Sequence, residues 1–335
     1  GMGGLAGAVA EAGNAMLPSI SIEIWVVTCC LLTWLILYWG SYQSLEKILL
    51  AMVLLFSFIT ILIAFSMQTT EYEVSIRQIS RGLTFNFPTE FLPLALAVFG
   101  FTGISYGEIM AYTYWCLEKG YAQDTNNDIN ETKAWIKTMQ TDVWVTVFFI
   151  TIGTLPFFFL GAGVLHYVPE LQESLANNSF WDVDVIGALQ NMFSLVLGGW
   201  AKWLFVVLAF FVLFSTLLSG TAAFTRTIAD YLISTGLIFE QKETRVYLIK
   251  LIAFFIPFFS GIFYFILPNP ITLLIIAGIW AAMGLPIVNI GALYLISKLD
   301  SDLQPKQTTK NILWLSLILQ ITMALLIIYD MTIGF

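Results

Sequence analysis

Thr102, Ser105, Tyr106 and Glu108 fall within one short run, FGFTGISYGEI (99–109), together with Gly100, Gly103 and Gly107. Hydroxyls and a carboxylate are hard oxygen donors, the kind that suit small divalent cations. The run lies inside a long apolar segment, which makes its composition unusual. A glycine in a helix interior costs about 1 kcal/mol relative to alanine, so three of them make local unwinding cheap. Non-helical backbone at membrane depth is tolerated only where protein or a wet cavity surrounds it. Carbonyls at the end of a half-helix carry partial negative charge, and secondary transporters hold cations on such carbonyls near the bilayer midplane. The candidate metal ligands are therefore the carbonyls of Phe101, Thr102, Gly103 and Ile104, the hydroxyls of Thr102, Ser105 and Tyr106, and the Glu108 carboxylate. A plainer reading stands beside this one: small residues also let helices pack closely. Glu108 favours the cation site, because a carboxylate within a span is costly and marks function by default.

Other polar residues fall within apolar segments. Asn289 follows Pro286 in the segment GLPIVNIGALYLISK (284–298). Proline removes a backbone donor and frees carbonyls near residue 282. Asn289 either reaches the bound ion or hydrogen-bonds a neighbouring helix. Glu11 and Asn14 are three apart and share a helix face; they line an ion or proton path, or Glu11 is simply solvated near a segment end. Arg226 and Asp230 are spaced i, i+4 and can pair, as a structural ion pair or as part of a gate or proton exit.

These residues need a scaffold, and composition says which kind. The 335 residues are 59% hydrophobic and only 11% charged, against roughly 25% charged in a soluble domain. A short first segment covers 1–17, closed by Pro18, and eight more lie near 22–42, 46–67, 91–118, 142–165, 200–232, 246–267, 271–297 and 311–333. Each of the eight exceeds the roughly 18 to 20 residues that cross a bilayer, and within hydrocarbon they must be helices. The chain reads as a single all-α transmembrane domain over 1–335, with the lipid bilayer as its surroundings. A stretch near 181–196 is amphipathic and suits an interface. ETKAWIKTMQTD (131–142) reads as a short interfacial helix before the next span.

Alternate connections carry ten basic residues: Lys47, Lys119, Lys133, Lys137, Lys242, Arg245, Lys250, Lys298, Lys306 and Lys310. The opposite connections carry three, Arg77, Arg81 and Lys202. The positive-inside rule puts the ten in the cytoplasm. No basic run could hold nucleic acid. Cys29, Cys30 and Cys116 all lie in apolar segments and form no disulfide framework. A single histidine, His166, excludes paired-histidine metal sites such as HExxH.

Three stretches carry a family resemblance. The run from Gly100 through YWCLEKGYA (114–122) resembles the sixth span and following turn of the Nramp family of divalent-metal transporters. LLSGTAAFTRTIADYL (217–232) is similar to that family's eighth span, and GLPIVNIGALYLISK (284–298) to its tenth. The resemblance implies the inverted-repeat, broken-helix fold of the amino acid–polyamine–organocation superfamily. It implies that 1–17 is part of the third span and that the first two spans are lacking, among them the Asp-Pro-Gly-Asn motif that supplies metal ligands. The family's sixth span carries Met-Pro-His, where this chain reads Ile104, Ser105 and Tyr106, and its second histidine falls at Ala111. A thioether selects softer metals, so an oxygen-rich site accepts magnesium as well as manganese.

The resemblance thus implies a secondary transporter of manganese, iron or magnesium in the cytoplasmic membrane. The metal is substrate, no cofactor is implied, and proton coupling stays open. Other classes fit less well. A channel would need a filter sequence, and none repeats here. A membrane enzyme would need a catalytic constellation such as GxSxG or a histidine pair, so the chain is read as no enzyme. A non-transporting scaffold or sensor, or a carrier of another small solute, remains the alternative.

Overall fold

The computed structural model describes residues 1–39, 42–84, 92–102, 104–122, 128–168, 185–238 and 242–333. Among them the chain forms twelve α-helices and no strand. They are α1 (Met2–Met16), α2 (Ile22–Trp39), α3 (Tyr42–Met67), α4 (Ile76–Gly82), α5 (Leu92–Phe101), α6 (Tyr106–Glu118), α7 (Ile129–Gly163), α8 (Val185–Leu197), α9 (Ala201–Ser234), α10 (Lys242–Ile266), α11 (Pro270–Lys298) and α12 (Gln307–Ile333). Seven of these, α2, α3, α7, α9, α10, α11 and α12, are long and apolar enough to cross a membrane. Large apolar side chains such as Trp144, Phe158 and Ile287 are exposed on their surfaces, as expected where lipid replaces water.

One expectation needs correction. ETKAWIKTMQTD is not a separate interfacial helix: it is the first part of α7, a single helix of 35 residues. No glycine or proline occurs between Ile129 and Ile152, so nothing in the sequence interrupts the turn-to-turn hydrogen bonds. Even Pro156 lies within the helix without ending it.

The chain divides into two compact units. The larger holds α1 to α4, the second part of α7, and α8 to α10. At its centre α1 has glycine or alanine at nine of its fifteen positions and is buried along most of its length. Lipid tails are as apolar as leucine, so helices associate in a bilayer through close contact rather than water exclusion. Small residues supply that contact: a Cβ on Gly7 would come within 2.3 Å of the Tyr264 ring. Val9 of α1 shares a core with Val26, Cys29, Leu217 and Tyr264. A second core gathers Ile63, Met67, Leu160, Met192, Phe193 and Phe205. Met192 and Phe193 are the buried face of the amphipathic α8.

The smaller unit holds α5, α6, the first part of α7, most of α11, and α12. Its core sets Leu96 of α5 against Ala282 of α11 and Ile327 of α12, with Phe99, Met283 and Met323 around them.

Candidate functional site

The span near 91–118 is broken. α5 ends at Phe101, α6 begins at Tyr106, and Thr102, Ile104 and Ser105 between them are not helical. Gly103 lies outside the described residues. The Thr102 N–H still donates to the Val98 carbonyl at 2.8 Å, closing the last turn of α5. Ser105 then adopts extended backbone (φ −79°, ψ 171°) as the N-cap of α6. In a continuous helix its N–H would serve the Phe101 carbonyl; here it donates to Oε2 of Glu108 at 2.8 Å. The Ser105 hydroxyl also donates to that carboxylate. The break is thus maintained by a carboxylate that replaces a helical acceptor, as in the N3 half of a capping box. The signal was present in the sequence: Ser105-Tyr106-Gly107-Glu108 is a Ser-x-x-Glu pattern. Thr102, Ile104 and Glu108 are all exposed in the described chain.

Two close approaches hold the break against α11. A Cβ on Gly100 would lie 1.8 Å from the Gly278 carbonyl oxygen and 2.8 Å from the Ala282 nitrogen. The two backbones are therefore in contact, and the packing role of this glycine is met as well as the break. On the far side of the break the Tyr106 ring covers Gly284, where a Cβ would meet the ring at 2.7 Å. Thr102, Ile104 and Ser105 follow in the chain between these two anchor points, Gly100 and Tyr106.

α6 is tied in turn to α7. The Tyr121 hydroxyl donates to Asp142 Oδ2 at 2.7 Å, and its ring lies 4.9 Å from that of Trp135. The Tyr112 hydroxyl donates to the Met139 carbonyl at 3.3 Å. Both tyrosines therefore join this stretch to the neighbouring helix α7.

Asn289 is 7% exposed and its Nδ2 donates to Gln320 Oε1 of α12 at 3.1 Å. Gln320 Nε2 continues to Ser316 Oγ at 3.2 Å. The helix-to-helix hydrogen bond, one of the two readings of Asn289, is formed. It lies seven residues beyond Ala282, about 10 Å along the helix axis.

The remaining candidates belong to the larger unit. Asn14 Nδ2 donates to the Ile20 carbonyl at 2.8 Å, closing the turn around Pro18. Glu11, one turn earlier, is half-buried. The expected pairing of Arg226 with Asp230 is not formed. Asp230 takes Arg245 of α10 instead, with Nε to Oδ1 at 2.7 Å and Nη2 to Oδ2 at 3.4 Å. Arg226 Nη1 donates to the Ala222 carbonyl in its own helix at 2.8 Å. A partner on the next helix offers a two-point fork that a neighbour one turn away cannot match.

Among the described residues, no three His, Cys, Asp or Glu side chains converge as a metal-binding group. A cation site here would draw on carbonyls, hydroxyls and one carboxylate. No curated protein matches the chain. A family model described as natural resistance-associated macrophage protein-like matches residues 3–331. With its seven apolar helices the chain is a multi-pass integral membrane protein, and it belongs to the Nramp family of divalent-metal transporters.

Proposed function

We propose that this protein is a secondary transporter that carries manganese, iron or magnesium across the cytoplasmic membrane, with the ion held at the break between α5 and α6. The observation that carries the reading is the Ser105 N–H turned onto Glu108, which frees the Phe101 carbonyl from its helical partner. The ligands are the carbonyls of Phe101, Thr102, Gly103 and Ile104, the hydroxyls of Thr102 and Ser105, and Glu108. Carboxylate, carbonyl and water oxygens suit magnesium and manganese, and the aliphatic side chain at Ile104 adds no soft ligand. Glu108 has a double role: one oxygen holds the cap, and the carboxylate brings negative charge to the freed carbonyls.

Glu11 of α1 lies on the ion or proton path in this reading, with Asn14 fixing the turn beyond it. Arg226 and Asp230 sit toward the cytoplasmic end of α9 by the positive-inside assignment. There the Asp230–Arg245 pair acts as a gate element that fastens α9 to α10.

The test is uptake by the full-length protein in proteoliposomes with Glu108→Gln. Glutamine keeps the cap, since Gln serves the N3 position as Glu does, but removes the charge. Uptake should fall; unchanged uptake would remove Glu108 from the mechanism.

A further inference from the structure

α2 and α10 pack side by side in the larger unit, and a series of contacts fixes their register. A Cβ on Gly261 would lie 3.2 Å from Val26 Cγ1. The Cys30 thiol donates to the Pro257 carbonyl at 3.0 Å. The rings of Trp34 and Phe254 lie 5.2 Å apart, and the Lys250 ammonium sits 4.8 Å from the centre of the Tyr38 ring. Numbers rise along α2 as they fall along α10, so the helices are antiparallel. The residues at the contact change in kind along it, from glycine and cysteine to indole, phenol and ammonium. The second end is the one where Lys242 begins α10. The positive-inside assignment puts it at the cytoplasmic face.

The rings of this half form one wall. Phe258 lies 4.6 Å from Phe254, Trp34 5.9 Å from Tyr38, and Tyr38 5.3 Å from Trp39. Phe254, Tyr38 and Trp39 are exposed, on a surface where lipid takes the place of water. From Lys250 to Phe258 the helix advances about 12 Å, close to the roughly 15 Å of hydrocarbon in one leaflet. The wall thus has the reach of an acyl chain, with a cation at its headgroup end.

That cation is not neutralised by protein. Among the described residues no carboxylate pairs with Lys250, and Asp230 is engaged by Arg245. The Tyr38 ring attracts the ammonium but is no substitute for an anionic acceptor. Trp39 beside it carries an indole N–H, which can only donate. Positive charge and donors therefore stand together at the end of an apolar wall. A zwitterionic headgroup would bring its own cation against Lys250 and Arg245; an anionic one would not.

We propose that the seam between α2 and α10 binds an anionic phospholipid. Its phosphate is held by Lys250 and the Trp39 indole, and one acyl chain lies along Tyr38, Trp34, Phe254 and Phe258. Cytoplasmic leaflets carry anionic lipid, and basic pockets between spans on that side recognise its headgroups. The lipid fastens α2 to α10 where close backbone packing gives way to rings. The inference rests on membrane insertion and the positive-inside assignment, not on which ion the protein carries.

The experiment uses the full-length protein in phosphatidylcholine vesicles, with brominated phosphatidylglycerol or brominated phosphatidylcholine as the probe. Bromine on the acyl chain quenches tryptophan on contact. Each protein is measured with and without Trp34→Phe, so the difference reports this site. Phosphatidylglycerol should reach half-quenching at about fivefold lower mole fraction than phosphatidylcholine, as expected for one lysine at the headgroup level. Lys250→Gln should bring the midpoints together while melting near wild type in detergent. Lys250→Arg should keep them apart. Lys202→Gln, at the start of α9 and outside by the same assignment, should keep the wild-type preference. Equal midpoints in wild type, or a preference that survives Lys250→Gln, would overturn the site. Relief of quenching by soluble glycerol phosphate would mean a free-anion site and would overturn the lipid.

Discussion

The N–H of Ser105 donates to the Glu108 carboxylate at 2.8 Å, across the start of α6. One side chain thereby ends the helical hydrogen bonding of α5 and begins that of α6. Structure and proposed chemistry meet in this residue, and substitutions separate them. Glu108→Ala should lower stability by about 1 kcal/mol, the usual cost of a lost cap, whereas Glu108→Gln should melt near wild type. A thermal melt in detergent checks this. Equal melting of both variants would mean that the cap carries no weight.

Gly100→Ala should be the most damaging small change in the smaller unit. Its methyl would lie 1.8 Å from the Gly278 carbonyl oxygen, and backbone has no rotamer to escape into. Overpacking of this kind costs about 1–3 kcal/mol. Gly291→Ala on α11 meets nothing within 4 Å and should stabilise, by about 1 kcal/mol at most, through helix propensity. Comparing the melting temperatures of the two alanine variants measures the backbone contact with a built-in control.

Tyr121→Phe removes the hydroxyl that donates to Asp142 at 2.7 Å while keeping the ring against Trp135. The loss should be about 1 kcal/mol. It should appear as faster amide hydrogen exchange at the C-terminal end of α6 and the start of α7. Unchanged exchange there would mean that ring packing alone joins the two helices.

The Asp230–Arg245 pair is partly exposed, 25% and 34% by side chain. Water and salt screen it, so Asp230→Asn should cost no more than about 1 kcal/mol. A double-mutant cycle with Arg245→Met should give a coupling that shrinks as salt rises. No coupling at low salt would remove the pair from any gating role.

The break itself was legible in the sequence, because Gly100, Gly103 and Gly107 beside Glu108 form a local signal. So was the cap, as Ser-x-x-Glu. The length of α7 was misread because charge at 131–142 suggested an interface, while the absence of helix breakers mattered more. The Arg226–Asp230 pairing failed for a related reason: helix spacing names the nearest candidate, but Arg245 on a neighbouring helix offers better geometry. The contact of Gly100 with Gly278 could not be read at all. Residues 178 positions apart meet only once the fold is known.

The central claim is that the broken helix serves to move a divalent metal. The most direct measurement is uptake of manganese, iron, magnesium and calcium into proteoliposomes by the full-length protein, with internal pH followed at the same time. The account predicts saturable influx of manganese, iron or magnesium. Acidification alongside would add proton coupling, and steady pH would mean uncoupled movement. No influx of any of the four ions would contradict it.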